Sequence, residues 1–402
     1  MANTNAKPGA RGENRAKDKR AETAPRRTSS RIIVTEYDPV IFICVFILSL
    51  IGIVMVFSSS YYTAMRDPNI SSMYYFLFKQ AIAGVIGFLA MVVMATINYH
   101  ALKPLVPIGY AIANGLLVLV KFIGADKKGA VRWIDLPIIG FSFQPSEFAK
   151  AMVILALAFY LSGKERRAGS FKGLLTCAAI IGLPCALVAW GNNMSTAIII
   201  VAIGFGVLFV SSPQAKKLLA VAGAGAGILV AGLWYQWRFG TNFRGDRFGA
   251  WLDPWSDPSD KGYQIINSLY AVASGGLFGL GLGQSRQKLK YLPEPQNDFI
   301  FAIICEELGF FGAAVVLLLF GILIWRGVRV ALLASDLLGC LIATGITVLI
   351  GVQVIINVAV VTNTIPNTGI PLPFISYGGT SIILFMGLMG VLMNVSRYTR
   401  VG

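Results

Sequence analysis

From residue 39 to residue 395 the chain alternates long apolar runs with short polar breaks. The runs lie at 39–59, 75–97, 104–123, 146–162, 173–190, 194–212, 218–236, 299–325, 337–361 and 379–395. Each is close to the roughly 20 residues that a helix needs to cross the hydrocarbon of a bilayer. The pattern therefore predicts an all-α polytopic membrane protein with ten transmembrane helices in a single domain over 39–398. An eleventh stretch, 265–283 (IINSLYAVASGGLFGLGLG), is apolar but holds five glycines, Asn267 and two serines. It reads as a re-entrant or interfacial segment within a large loop, 236–297, between the seventh and eighth spans.

Charge orients these spans. Residues 1–38 are polar and carry about nine Lys and Arg, with no apolar core of a signal peptide. They predict a disordered, basic cytoplasmic tail. With the tail inside, Lys103, Lys164, Arg166, Arg167, Lys172, Lys216, Lys217, Arg326, Arg329, Arg397 and Arg400 all fall on the cytoplasmic side, so both termini are expected there. Counting 265–283 as a span would put the last four of these outside. Two outward loops break the bias. The one between spans three and four holds Lys121, Lys127, Lys128, Arg132 and Trp133; the large loop holds Arg238, Arg244, Arg247, Lys261, Arg286, Lys288 and Lys290. Long loops escape the orientation rule, which explains such cations without a function. They would equally hold an anionic head group such as a diphosphate.

Composition narrows the chemistry. Of 402 residues 56% are hydrophobic and 13% charged, against about 25% charged in soluble domains. The net charge of +15 is spread over loops between apolar runs, which is not a nucleic-acid footprint. All five cysteines lie inside apolar runs, and a single histidine, His100, speaks against multi-histidine metal sites and a Ser-His-Asp triad. No phosphate-binding loop of the Gly-x-x-x-x-Gly-Lys-Ser/Thr type is present, so this chain does not read as an ATP-driven transporter by itself.

The stretch Tyr291–Gly312, YLPEPQNDFIFAIICEELGFFG, concentrates the candidate chemistry. Its proline-broken lead-in, which includes Glu294, ends at Asp298. Ala302, Cys305, Gly309 and Gly312 then follow on one helical face, a small-residue groove in which a long apolar chain could lie. Asp298 is a candidate general base, or simply the cap of the helix that follows, a role Asn297 could fill instead. Glu306 and Glu307, deeper in the span, demand partners or water at that depth; a cation such as Lys79 would pair with them. Glu147 and Lys150, at i and i+3 after Gln144-Pro145-Ser146, can form an ion pair at the edge of span four, with Ser146 as cap. The stiff loop 368–379 reads as a packed re-entrant wall, or as a wall of a substrate groove with the hydroxyls of Ser376 and Tyr377.

FQPSE at 143–147, GYQIINSLY at 262–270, the Gly-rich 275–283, the 291–309 block and 368–381 together resemble the SEDS family of shape, elongation, division and sporulation proteins. SRQKLKYLPE and EELGFFG are nearer its FtsW and SpoVE branch than its RodA branch. The resemblance implies a peptidoglycan glycosyltransferase that polymerises lipid II at the outer face of the cytoplasmic membrane and releases undecaprenyl diphosphate. It places the catalytic aspartate at Asp298 and the family's polar pair at Glu147 and Lys150. The substrate-binding candidates are Arg132, Trp133, Glu147, Lys150, Arg244, Arg247, Lys288, Glu294, Ser376 and Tyr377, with a divalent cation (Mg or Mn) at the diphosphate as the candidate cofactor. Implied partners are a class B penicillin-binding protein acting as transpeptidase, other divisome membrane proteins and membrane lipids. A lipid II flippase and a non-catalytic scaffold for a transpeptidase stand as alternatives. Two segments depart from the family pattern: Gln296-Asn297 before the aspartate, and 191–196, GNNMST, to which no role is assigned.

Overall fold

The computed structural model describes residues 32–34, 36–66, 68, 70, 72–127, 130–136, 141–163, 169–212, 223, 249–260, 262–289 and 291–400. The expected span at 218–236, apart from residue 223, lies outside these residues, as do Arg244, Arg247 and most of the expected tail. Helices in order are α1 Pro39–Arg66, α2 Tyr75–Thr96, α3 Leu105–Ile123, α4 Pro145–Ser162, α5 Phe171–Trp190, α6 Met194–Ser211, α7 Tyr263–Ser274, α8 Ile300–Leu333, α9 Leu337–Val361 and α10 Gly379–Arg397. All but α7 are long and apolar enough to cross a membrane, nine among the described residues. With 12 residues, about 18 Å at 1.5 Å each, α7 is too short to span, as Asn267 and the glycines that follow the helix suggested.

Cross-links sort the bundle into two ends. At one, Tyr99 donates to Asp336 Oδ1 (2.7 Å), Asn394 Nδ2 to Ala95 O (2.7 Å), and Arg326 meets Asp38 Oδ2 (2.6 Å). At the other, Ser195 Oγ donates to Thr368 O (2.8 Å), Thr380 Oγ1 to Ser142 O (3.0 Å) and Trp251 Nε1 to Asn363 O (3.0 Å). Asp298 belongs to this second end. Two small sheets supplement the helices, a departure from the all-α expectation. Ile32–Val34 pairs antiparallel with Tyr398–Arg400, so an ordered strand closes the expected tail. The loop after α3 folds into a three-stranded antiparallel sheet, Ala125–Lys127, Ala130–Leu136 and Phe141–Phe143.

The feature that shapes the Asp298 end is a break in α8. Gly309 sits at φ 68°, so the 34-residue helix is interrupted there. The carbonyls of Glu306 and Glu307 accept instead from Leu280 N (2.9 Å) and Gly281 N (3.0 Å), while Phe310 N and Phe311 N donate to Gly276 O (2.9 Å) and Leu277 O (3.2 Å). The segment after α7 thus repairs the interrupted ladder, which is how non-helical backbone survives at membrane depth. The approach requires glycine: a Cβ on Gly309 would stand 2.3 Å from Gly279 N, and one on Gly279 2.2 Å from Glu307 O.

Candidate functional site

The turn carrying Asp298 precedes α8, whose N-cap is Phe299 with no side-chain capping bond. The cap position thus falls one residue beyond Asp298 and two beyond Asn297, correcting the reading of either as the cap residue. Asn297 Nδ2 donates to Glu294 Oε2 (2.8 Å), and Glu294 is exposed with φ at 47°. Asp298 is half-buried. Its carboxylate faces the 362–378 loop: a Cβ on Gly369, itself at φ 63°, would lie 3.3 Å from Asp298 Oδ2. A bulkier residue at 369 would strain the backbone and crowd Asp298 Oδ2.

That loop is fastened from several helices. Asn357 Nδ2, on α9, donates to both Asp298 O and Ile370 O at 2.8 Å. Gln80 on α2, fully buried, donates to Ser376 O (3.2 Å) and accepts from Gly378 N (3.4 Å). Tyr377 N donates to Gln296 O (2.9 Å), joining the loop to the lead-in before Asp298. Neither Gln80 nor Asn357 stood out in the sequence reading; a lone amide inside an apolar span was the signal that could have found them. The 191–196 segment also reaches the site through Ser195 and Thr368, and its Asn193 caps α6 by accepting from Thr196 N (3.3 Å).

Several expected contacts take a different form. Ser376 is buried, and its hydroxyl accepts from Leu372 N (2.7 Å), closing the loop on itself rather than lining a groove. Tyr377 is half-buried edge-on to Phe76, with ring centroids 5.1 Å apart. Burial, with the neighbouring Tyr75 adding to it, pushes its phenol up to about 12. It is therefore a neutral hydroxyl at physiological pH.

Lys288 is buried against a carboxylate of the protein itself, not held out to a substrate anion. Its Nζ lies 2.8 Å from Glu307 Oε1 and 3.1 Å from Ser58 Oγ. This also corrects Lys79, which donates to Tyr75 OH (2.5 Å) instead of meeting the buried glutamates. The reason is the helix break: it draws 284–288 inward, so Lys288 reaches Glu307, while Ser285 Oγ (2.5 Å) and Arg286 N (2.8 Å) donate to Glu306. The same break removes the expected groove. Ala302, Cys305 and Gly309 are buried, with a Cβ on Gly275 meeting Cys305 O at 1.9 Å. The re-entrant segment fills that face, and exposure begins only at Phe310.

Glu147 and Lys150 form the expected pair, at 2.8 Å, with both residues buried. Lys150 Nζ is also 3.3 Å from Gln353 Oε1 on α9, four residues before Asn357 and so on its face. The α4 cap is Gln144 rather than Ser146, whose hydroxyl has no partner. Arg132 and Trp133 are half-buried in the small sheet, and Arg132 Nη2 donates to Asn192 O. The structure thus gathers Asp298, Glu294 and the 368–378 loop. Glu147 and Lys150 join this group through Gln353 on α9 and through Phe385 on α10, whose ring lies 5.6 Å from Lys150 Nζ and 5.9 Å from that of Phe374, and Arg132 joins it through 191–196.

A family profile described as cell cycle protein, covering FtsW, RodA and SpoVE, matches residues 38–401. Stage V sporulation protein E of Bacillus subtilis (strain 168) is 40% identical over 369 residues, 91% of this chain and 98% of its own length. A probable peptidoglycan glycosyltransferase FtsW from Geobacter sp. (strain M18) is 39% identical over 373 residues, 91% of this chain and 98% of its own. Among solved structures, a chain from work on the structural coordination of polymerization and crosslinking by a peptidoglycan synthase complex superposes with a TM-score of 0.73 at 27% identity. It covers 90% of this chain and 98% of that one. The rod shape determining protein RodA of Thermus thermophilus gives 0.65 at 26% identity, covering 90% and 97%.

Proposed function

Because this chain belongs to the FtsW, RodA and SpoVE family of cell cycle proteins, we propose that it is a peptidoglycan glycosyltransferase of division or sporulation. It polymerises lipid II into glycan strands at the outer face of the cytoplasmic membrane. The observation that carries this reading is the half-buried Asp298 carboxylate beside Gly369, at the opposite end of the bundle from Arg326, Arg397 and Lys103.

The finer topology is ten spans with both termini cytoplasmic. Supporting it, α6 starts at the Asp298 end, where Ser195 meets Thr368, and its 18 residues carry the chain about 27 Å away. Trp251 is back at the Asp298 end against Asn363. One further crossing between them completes ten.

In the reaction, Asp298 accepts the proton of the acceptor sugar's 4-hydroxyl as general base. The oxygen attacks C1 of the second lipid-linked unit, and the C1–O bond to the diphosphate breaks with its electron pair, inverting the anomeric centre. Undecaprenyl diphosphate departs. Its charge is met by outward Arg and Lys, among them Arg132, with Arg244 and Arg247 as further candidates. A divalent cation would add charge neutralisation at the diphosphate. The partner is a class B penicillin-binding protein that crosslinks the product.

The test is incubation of the purified chain, with that partner, with lipid II. Wild type yields glycan strands, and Asp298→Asn, while remaining folded, loses about 10²–10⁴-fold in rate. A flippase or a scaffold makes no strands at all. Full activity in the variant removes the base from this account.

A further inference from the structure

We infer that Asn357 is a positioning residue for Asp298, holding the carboxylate's turn and the facing loop at a fixed separation; this rests on the glycosyltransferase reading above. Helices usually fix their first turn with a capping side chain. In α8 the cap position is held by Phe299, which has no polar side-chain atom to make such a bond. The peptide of Asp298 is held from outside instead, by one nitrogen. Asn357 Nδ2 donates to Asp298 O at 2.8 Å and to Ile370 O at 2.8 Å. Its two hydrogens are thereby used on two carbonyls from segments about 70 residues apart in sequence, and this fixes which end of the amide is nitrogen.

The geometry suits positioning. Ile370 directly follows Gly369, the residue whose Cα hydrogen side faces Asp298 Oδ2. One amide thus links the turn that carries the carboxylate to the strip of loop lying against it. Asn357 is buried within an apolar 25-residue helix, and although its Nδ2 serves two carbonyls, its Oδ1 meets no hydrogen-bond donor among the described residues, so the amide is kept there at a cost in stability. It does not touch the reacting atoms. Its role is to set where Asp298 meets the acceptor hydroxyl, and misplacement by about 1 Å at such a point costs on the order of 10²-fold in rate.

The experiment uses the full chain with its transpeptidase partner, lipid II as substrate, and steady-state polymerisation alongside thermal unfolding. Asn357→Asp keeps the side chain's size and loses the donors; Asn357→Ala removes the group. The expected result is a fall of about 30- to 100-fold in kcat with the KM for lipid II within about threefold of wild type. A purely structural residue would lower the amount of folded enzyme and leave the kcat of the folded fraction, counted by active-site titration, unchanged. That outcome in either variant overturns the proposal. Where the Ala variant does not fold, the isosteric Asp variant decides. Wild type that makes no strands sinks the glycosyltransferase reading and this inference together; active wild type with an equally active Asn357 variant sinks the inference alone.

Discussion

Two glutamate–lysine pairs are buried among the described residues, and they are built differently. Glu147 and Lys150 sit three residues apart on α4, so one helix makes the pair, and α9 adds only the 3.3 Å contact of Gln353 Oε1. Gln353 Nε2 has no hydrogen-bond partner among the described residues. Glu307 and Lys288 come from separate segments and are saturated: Ser58 Oγ donates to both Glu307 oxygens (2.7 and 2.6 Å), Ser285 N reaches Oε1 (3.3 Å), and Lys288 adds its own bond. A buried ion pair is stabilising only when its remaining lone pairs and protons are met. By that measure the Glu307 pair is a fastening for the broken helix. The Glu147 pair is under-supported, and it sits on the face of α9 that also carries Asn357. The second pair therefore keeps the fold in place, and the first is the one with room for a role in the reaction.

This contrast can be broken at its strongest point first. Glu307→Ala leaves the buried Lys288 ammonium without its carboxylate and removes the acceptor of Ser285 N, while Glu306 still holds Ser285 Oγ and Arg286 N. It is expected to cost about 3–5 kcal/mol, read as a large drop in the unfolding temperature of the detergent-solubilised protein. Lys150→Ala should cost a comparable amount, but the double change Glu147→Gln with Lys150→Met should recover most of it, because neither residue then carries an unpaired charge. If the pair serves the reaction, polymerisation stays low in this refolded double variant; recovery of both stability and rate would make the pair a strut like the other. Ser58→Ala is expected to cost about 1.5–3 kcal/mol, the worth of a bond to a charged group. Gln353→Leu should lie within about 1 kcal/mol of wild type, since it deletes a long contact together with an orphaned donor. A Gln353→Leu protein less stable than Ser58→Ala would reverse the assignment of the two pairs.

Much of the site was legible along the chain for local reasons. Apolar length announced the spans, and five glycines with Asn267 marked 265–283 as non-spanning; the 12-residue α7 and the turns after it follow that reading. Spacing of three residues made the Glu147–Lys150 pair readable. The small-residue face of Ala302, Cys305 and Gly309 was readable too, but its use was not. Small residues allow close approach by anything, and here the approaching group is the protein's own backbone at 275–281.

By itself, then, the sequence determined nine of the apolar helices, that Glu306 and Glu307 lie deep in one of them and need partners there, and that Asp298 stands at its head. Those properties depend on composition and helical period, which neighbours within a few residues settle. Only the tertiary structure decided that Glu307 meets Lys288 rather than Lys79, that Ser376 closes its own loop, and that Asn357 holds Asp298. Each of these hydrogen bonds depends on the angle at which a side chain leaves one element and the distance to another. A single break at Gly309 reset both for everything packed around it.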